Sequence, residues 1–509
     1  MASRIPNVKP VKPGARRLSH ILLAAAAGVM LISVITACVT NQSAIGRVVM
    51  AMNEETSSLP ETTRQELDRF AQVYDTYVQD ASDRERLDYF NFAYRRVRAN
   101  YVYEVDDTKL IDAAIAGVKE QNTDPGDTAP EKVVEDALHR MLKGLDPHSS
   151  YLNAEEFRDS FANTKGEFGG LGIQITMEED LVKVIAPIED TPAERAGILA
   201  GDLITHCDGE AIKGKSLREA VRMMRGKPGD PLVLTVRRKG AEDFDVRIVR
   251  DIIEVKSVRH RIEGDIGYVR ITRFNEKTKE GINDALDEIR DKTGAGLKGI
   301  VIDLRNNPGG LLSQSVIVAD AFLEGGKIVS IKGRDGRDER AFYADEGDEL
   351  AGVPMVVLVN QGSASASEIV ASALQYHGRA VIMGRRTFGK GSVQTIMPMP
   401  LEGALRLTTA LYYSPANRTL QALGVSPDIN LYAEGEAGEP VEATREADLP
   451  GAIPPQIHDE HLKRPRIAEA KCPEIGEEKD KMLGCAIEYL HAANQEAFLK
   501  RFVVSAGQS

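Results

Sequence analysis

Three serines alternate with alanine in Ser363-Ala364-Ser365-Ala366-Ser367-Glu368, which Asn360-Gln361-Gly362 joins to the apolar run Val356–Val359. The residues that follow carry helical spacing, which predicts a helix opening at Glu368. Serines at a helix mouth face unpaired backbone N–H groups and the positive end of the dipole, an environment that favours an alkoxide or oxyanion. The same residues spell a capping box, Ser365-x-x-Glu368, so a cap and a nucleophile both stay open on these residues alone. A serine nucleophile needs a base. His377 lies 12 positions along the same helix and points away from the serines, and no G-x-S-x-G elbow is present. Lys390 fits better. It stands between Gly389 and Gly391 after the apolar strand Ala380–Met383, and burial would lower its pKa toward the neutral form a base requires. A third candidate is Asn306-Asn307-Pro308-Gly309-Gly310, which follows Asp303 at the end of the strand Ile300–Ile302. Its bare amides suit either a tight turn or an oxyanion hole, where one lost donor costs roughly 3–4 kcal/mol of transition-state stabilisation. Gly384 to Gly391 nearly spells a phosphate loop, but Gly391 stands where the magnesium-binding hydroxyl belongs and extended chain follows, which excludes nucleotide binding.

These residues need elements to hold them. In the 509-residue chain, hydrophobic residues are 42% and charged residues 28%, a globular balance with room for several domains. A net charge of −13, no Trp and 5% aromatics argue against nucleic-acid binding. Residues 60–160 read as amphipathic helices, with Pro130 opening one of them. Residues 163–253 change to short strands with two helices, compact enough for a domain. Residues 258–433 alternate apolar strands with helices, the signature of a sheet covered on both faces. Residues 434–465 are rich in Glu, Pro and Ala and read as an acidic linker, and 466–509 as a helical tail with one amphipathic helix from Asp480 to Phe502.

Gly169-Gly170-Leu171-Gly172-Ile173 resembles the carboxylate-binding loop of PDZ domains, whose amides take a peptide's C-terminus while the peptide adds a strand to the sheet edge. Thr191 to Ile198 and Gly201-Asp202 fit the middle of such a domain. With LDPHSSYL (145–152), IVIDLRNNPGGLL, GSASASEIVASAL, TFGKGSVQT and LQALGVSPDI in that order, the chain from about Glu85 to Leu431 resembles the carboxyl-terminal processing peptidases, or tail-specific proteases. The resemblance implies a mixed α/β peptidase core with a PDZ domain and an α-helical N-terminal region. It implies Ser365 as nucleophile, Lys390 as base and Gln394 as the residue that orients the lysine. It also implies Ala366 and Gly310 as oxyanion donors, and Gly170, Leu171, Gly172 and Ile173 as the tail-binding loop. The expected activity is serine endopeptidase cleavage near the C-termini of protein substrates, with a PDZ domain that gates the site and neither metal nor cofactor. A non-catalytic PDZ scaffold of the cell envelope is the rival reading. One departure is Asn417, where the family usually has Gly; Asn also tolerates positive φ. Leu145 to Tyr151 reads as a structural turn.

Five basic residues (Arg4, Lys9, Lys12, Arg16, Arg17) precede the apolar run Ile21 to Val39, an export signature that predicts a signal peptide or signal anchor within residues 1–40 and a periplasmic location. Ile35-Thr36-Ala37-Cys38 resembles a lipobox, so cleavage with lipidation of Cys38 and retention as a membrane anchor both stay open. The terminal helices suit a homo-oligomer or a lipoprotein adaptor, as in relatives. Cys472 and Cys485 are free to pair or not, Cys207 reads as buried, and His458 and His461 form a poor metal site.

Overall fold

The computed structural model describes residues 59–502 except 81, 83, 123, 337–338, 433–443 and 456–463. The apolar run Ile21 to Val39, Cys38, His458 and His461 lie outside the described residues. Four helices, Glu61–Tyr77, Glu85–Asn100, Asp107–Gln121 and Pro130–Lys143, form the N-terminal region. Their apolar faces, including Phe70, Phe90, Val97 and Leu138, close over Leu405, Leu407 and Leu411 of the strand Ala404–Tyr413. The opposite side of that strand carries Arg406 and Tyr412 into a cavity. Helical cap and peptidase core therefore share one strand.

The PDZ sheet runs in the order Ile173–Glu178, Leu181–Pro187, Leu203–Cys207, Pro231–Arg237, Phe244–Val249, with Val182, Val184, Ile204, Leu234 and Val236 in its core. Among the described residues Ile173–Glu178 pairs on one side only, so its other edge is open to an added strand. The helix Leu217–Met224 is capped by a complete Ser216/Glu219 box. Chain entry and exit pair with each other, Glu167–Gly170 antiparallel to Asp251–Glu254, so the domain hangs from a two-stranded stalk.

The core sheet has seven strands in the order Val258–Glu263, Ile266–Ile271, Gly299–Asp303, Met355–Val359, Val381–Gly384, Ile429–Tyr432, Arg466–Ala468, parallel after the first pair. Gly299–Asp303 and Met355–Val359 are buried along their whole length, as their unbroken apolar runs require. Helices Thr278–Thr293, Leu312–Asp320 and Ala366–Tyr376 cover one face. Lys481–His491 and Gln495–Phe502 cover the other, two helices in place of the single one expected. A second sheet is built on Ala404–Tyr413, which pairs with Ser150–Leu152, Gly326–Gly333 and Ser392–Pro398.

The tail begins as a strand: Arg466–Ala468 extends the parallel sheet, too short for its alternation to show in the sequence. The stretch read as linker is partly packed, because Glu446 is fully buried in a short 3-10 turn, Glu446–Asp448. Cys472 and Cys485 are disulfide-bonded, with Cα atoms 5.0 Å apart, clamping the last helices to the sheet. A bridge closing a loop of this size contributes roughly 3 kcal/mol, so the double variant Cys472→Ser, Cys485→Ser is expected to unfold in urea with about that much less stability. Cys207 is a free, buried thiol whose pKa burial pushes up to about 12. Asn417 adopts a φ of +57°.

Candidate active site

The candidate residues hang from the C-terminal ends of three neighbouring parallel strands. Gly299–Asp303 leads into the Pro-Gly-Gly turn, Met355–Val359 into the serines, and Val381–Gly384 into the lysine loop. Loops at that edge converge by topology, the usual place for a site in a parallel sheet.

The helix begins at Ala366, two residues earlier than expected, so Ser365 itself is the N-cap. Its backbone is at φ 55°, ψ −113°, a conformation that costs on the order of 1–3 kcal/mol for a non-glycine residue. Although the G-x-S-x-G pattern is absent, the chain makes a sharp strand-to-helix elbow here. Two of the three serines are turned to backbone carbonyls: Ser363 Oγ donates to the Leu304 carbonyl (2.7 Å) and Ser367 Oγ to the Asn307 carbonyl (3.0 Å). Ser365 is the one that lines the cavity, beside the Tyr412 hydroxyl. Burial pushes Tyr412 up to about 12, with the Ser365 bond opposing it, so the phenol stays protonated at neutral pH.

The Pro-Gly-Gly turn separates its two amides. Gly309 N–H donates to Asn307 Oδ1 at 2.9 Å, whereas the Gly310 N–H has no acceptor among the described residues. The Ala366 N–H, at the first position of the helix, is equally free. Gly309 must be glycine, because a Cβ would meet the Ala364 carbonyl at 2.7 Å and the Ser365 Cβ at 2.9 Å. Two unpaired donors thus border the serine.

Lys390 lines the same cavity of about 680 Å³, together with Gln394, Gly310, Tyr412 and Arg406. Its amine has no ion pair or hydrogen bond among the described residues. Burial is the main force lowering its pKa; Arg406 adds to this, and Glu446, Asp146 and Glu368 oppose it. Gln394 is held by Ser392 Oγ (2.9 Å) and Thr408 Oγ1 (3.3 Å), and it makes no hydrogen bond to Lys390 here. His377 is turned to the Lys327 carbonyl and takes no part.

Glu368 does more than cap. It is fully buried, and its carboxylate accepts from Ser365 N (2.6 Å), Lys390 N (2.9 Å), Gly389 N (2.7 Å) and Thr387 Oγ1 (2.6 Å). One carboxylate therefore ties the serine turn to the lysine loop. Gln421 Oε1 holds Gly391 N from the other side, and Gln421 in turn donates to Glu446, which bonds His148. The turn containing Asp146 also reaches the site. Asp146 accepts from His148 N, Ser149 N and Ser149 Oγ, and from Thr408 Oγ1, which supports Gln394. Sequence reasoning missed Asp146, Glu446 and Tyr412 as neighbours of the site, and no local signal marks them.

In the PDZ loop, Leu171 and Gly172 carbonyls accept from Ala193 N and Ile188 N, while their own N–H groups find no acceptor among the described residues. Gly172 has φ +80°. Gly170 pairs with Asp251 in the stalk, and Ile173 opens the edge strand. None of the four lines the cavity; Arg218 of the helix Leu217–Met224 does. Among the described residues there is no cluster of three His, Cys, Asp or Glu side chains suited to a metal. No described helix is long and apolar enough to cross a membrane.

Residues 265–431 match peptidase family S41, and residues 169–248 match the PDZ domain. A carboxy-terminal-processing protease of Bartonella bacilliformis is 51% identical over 347 residues, 68% of this chain and 75% of that protein. Among solved structures, a photosystem II D1 C-terminal processing protease is 30% identical, with a TM-score of 0.42, covering 67% of this chain and 92% of that one. The PDZ domain of a carboxy-terminal protease from Vibrio cholerae, solved with a peptide, is 27% identical, with a TM-score of 0.17, covering 18% of this chain and 99% of that one.

Proposed function

The chain belongs to peptidase family S41 as a carboxy-terminal-processing protease, and from that premise we propose how its own residues carry the reaction. It is a serine endopeptidase with a PDZ domain that takes free C-terminal tails, and the scaffold reading falls. The observation that carries the assignment is that Ser365, an unpaired Lys390 and Gly310, whose amide is free among the described residues, line one cavity, with the free Ala366 amide next along the chain from the serine. Neutral Lys390 accepts the Ser365 hydroxyl proton as Oγ bonds to the peptide carbonyl carbon. The carbonyl oxygen becomes an oxyanion held by the Gly310 and Ala366 N–H groups. The C–N bond then breaks as the lysine ammonium protonates the leaving amine. Water, deprotonated by the same amine, opens the ester and restores the serine. Gln394 orients the amine once substrate arrives, and Gly170, Leu171, Gly172 and Ile173 hold the tail. A fluorophosphonate probe tests the nucleophile: mass spectrometry is expected to find the adduct on Ser365, and an adduct on Ser363 or Ser367 would overturn the assignment.

Opening of the PDZ domain must break two ion pairs between its helix and the cavity-lining helix Ala154–Lys165: Arg225 to Asp159 (2.5 Å) and Arg222 to Glu155 (3.8 Å). Exposed pairs are worth up to about 1 kcal/mol. Arg225→Ala is therefore expected to raise basal cleavage of a peptide lacking a PDZ-binding tail by about two- to five-fold. Unchanged basal turnover would remove this pair from the gate.

The export reading puts this activity in the periplasm, with the N-terminus as signal peptide, lipid anchor or membrane anchor. Its support is the basic residues before the apolar run and the bonded Cys472–Cys485 pair, which persists in oxidising compartments. The N-terminal and C-terminal helices are the surfaces proposed for a second copy or a lipoprotein adaptor. Mass spectrometry of the mature N-terminus distinguishes lipidated Cys38 from an intact anchor.

A further inference from the structure

Arg406 is a half-buried cation of the cleft with no ion-pair partner among the described residues. It projects from the strand Ala404–Tyr413 into the cavity that holds Ser365 and Lys390. The side chain is half-buried, and its one hydrogen bond among the described residues is a 3.2 Å contact from Nη2 to Ser160 Oγ. Three carboxylates line the same cavity, yet each is committed elsewhere. Glu155 pairs with Arg222, Asp159 with Arg225, and Glu156 accepts from the Asn153 N–H in a capping box and faces His139. Burial without an ion-pair partner lowers the Arg406 pKa, with Glu156 the only charge opposing it. A guanidinium kept partly out of water and unpaired is short of one acceptor, and a carboxylate matches its planar fork with two parallel hydrogen bonds.

Register puts Arg406 opposite Ile396, two residues beyond Gln394 on the strand Ser392–Pro398, and both Gln394 and Ile396 line the cavity. At about 3.3 Å per residue, an extended substrate crossing the dyad reaches Arg406 within a few residues of the scissile bond. Resting on the reading of this cavity as the substrate cleft, we propose that Arg406 is a specificity residue that binds a carboxylate of the substrate. That carboxylate is either an Asp or Glu side chain near the cut or the terminal carboxylate itself.

The test uses binding, so that it stands whether or not the dyad assignment does. Full-length Ser365→Ala and the double variant Ser365→Ala, Arg406→Gln are titrated with fluorescent peptides of one apolar sequence. Glu is exchanged for Gln at each position of the peptide in turn, and each peptide is made with a free or an amidated C-terminus. In the Ser365→Ala background one Glu position, or the free terminus, is expected to bind about 10- to 100-fold tighter than its neutral counterpart. Arg406→Gln is expected to collapse that ratio toward one at that position, and Arg406→Lys to keep part of it. A ratio centred on a side chain identifies the acidic residue, and one centred on the terminus identifies the tail carboxylate. The PDZ loop also takes a free terminus, so the deciding quantity is the part of each ratio that Arg406→Gln removes: ratios left unchanged by Arg406→Gln at every Glu position and at the terminus overturn the proposal. Should Arg406→Gln fail to fold, the Ser365→Ala ratios and Arg406→Lys still decide it.

Discussion

Lys390→Met is expected to lower kcat on a tailed, unfolded protein substrate by roughly 10⁴-fold, to the level of Ser365→Ala, with the double variant no slower than either. In the proposed mechanism the two side chains perform one step, transfer of the hydroxyl proton during attack, so removing either removes the whole of it. Methionine retains the length and apolar bulk of the lysine stem and deletes only the amine. The loop proposed to bind the tail, Gly170 to Ile173, lies outside the cavity, so all three variants should still capture tailed substrate, which separates lost chemistry from lost recognition. The pH profile follows from the same amine. Burial moves its pKa down from the ordinary 10.5, and Arg406 pushes in the same direction. The base is active when neutral, so kcat/KM rises as pH increases through that lowered value. A Lys390→Met loss below about ten-fold, or a double variant slower than Ser365→Ala by a further factor of 10³, would show that the two residues act independently.

How far the chain could be read depended on how local each feature is. A serine at a helix mouth and a lysine between glycines were legible as candidates from their immediate neighbours, whereas the choice of Ser365 among the three serines came from family likeness. The preference for Gly310 over Gly309 came only from family likeness. Its physical reason is a side chain, Asn307 Oδ1, that consumes the Gly309 amide, and no spacing rule reveals which amide a neighbouring side chain will take. The sheet order and the two-sided burial of Gly299–Asp303 and Met355–Val359 were visible as apolar runs. The strand Arg466–Ala468 was not, because three residues carry no usable period. Asp146 reads from the sequence as a turn residue, and it does cap its own turn; its second role, through Thr408, spans 262 positions. Glu446 stood in a stretch whose composition reads as linker, yet one buried carboxylate held by Gln421 and His148 anchors it beside the lysine loop.

Glu368 is the second residue whose loss should nearly silence the enzyme without touching substrate. Its capping bond to Ser365 N is local, but the bonds to Thr387, Gly389 and Lys390 reach 19 to 22 residues along the chain. Each oxygen accepts two donors, so every acceptor position points at either the nucleophile or the base. Glu368→Gln replaces one oxygen by an amide N–H₂ that faces two donors. The turn and the loop then part, and a misplacement of about 1 Å costs on the order of 10² in rate. The expected result is a kcat lowered by roughly 10²-fold with KM changed far less, and partial recovery in Glu368→Asp. Burial pushes the carboxyl up to about 7, against the pull of its four donors. Because its folded value lies above the ordinary 4.5, its contribution to stability is full below pH 4.5 and is lost as pH rises through about 7. Activity moves the opposite way. A proton seated on either oxygen as pH falls through about 7 turns an acceptor into a donor and releases one of the loops. Wild type should therefore show a limb near pH 7 beside the one set by Lys390, and Glu368→Gln should lack it. If the variant keeps that limb and loses only melting temperature, Glu368 serves the fold and not the alignment of serine and lysine.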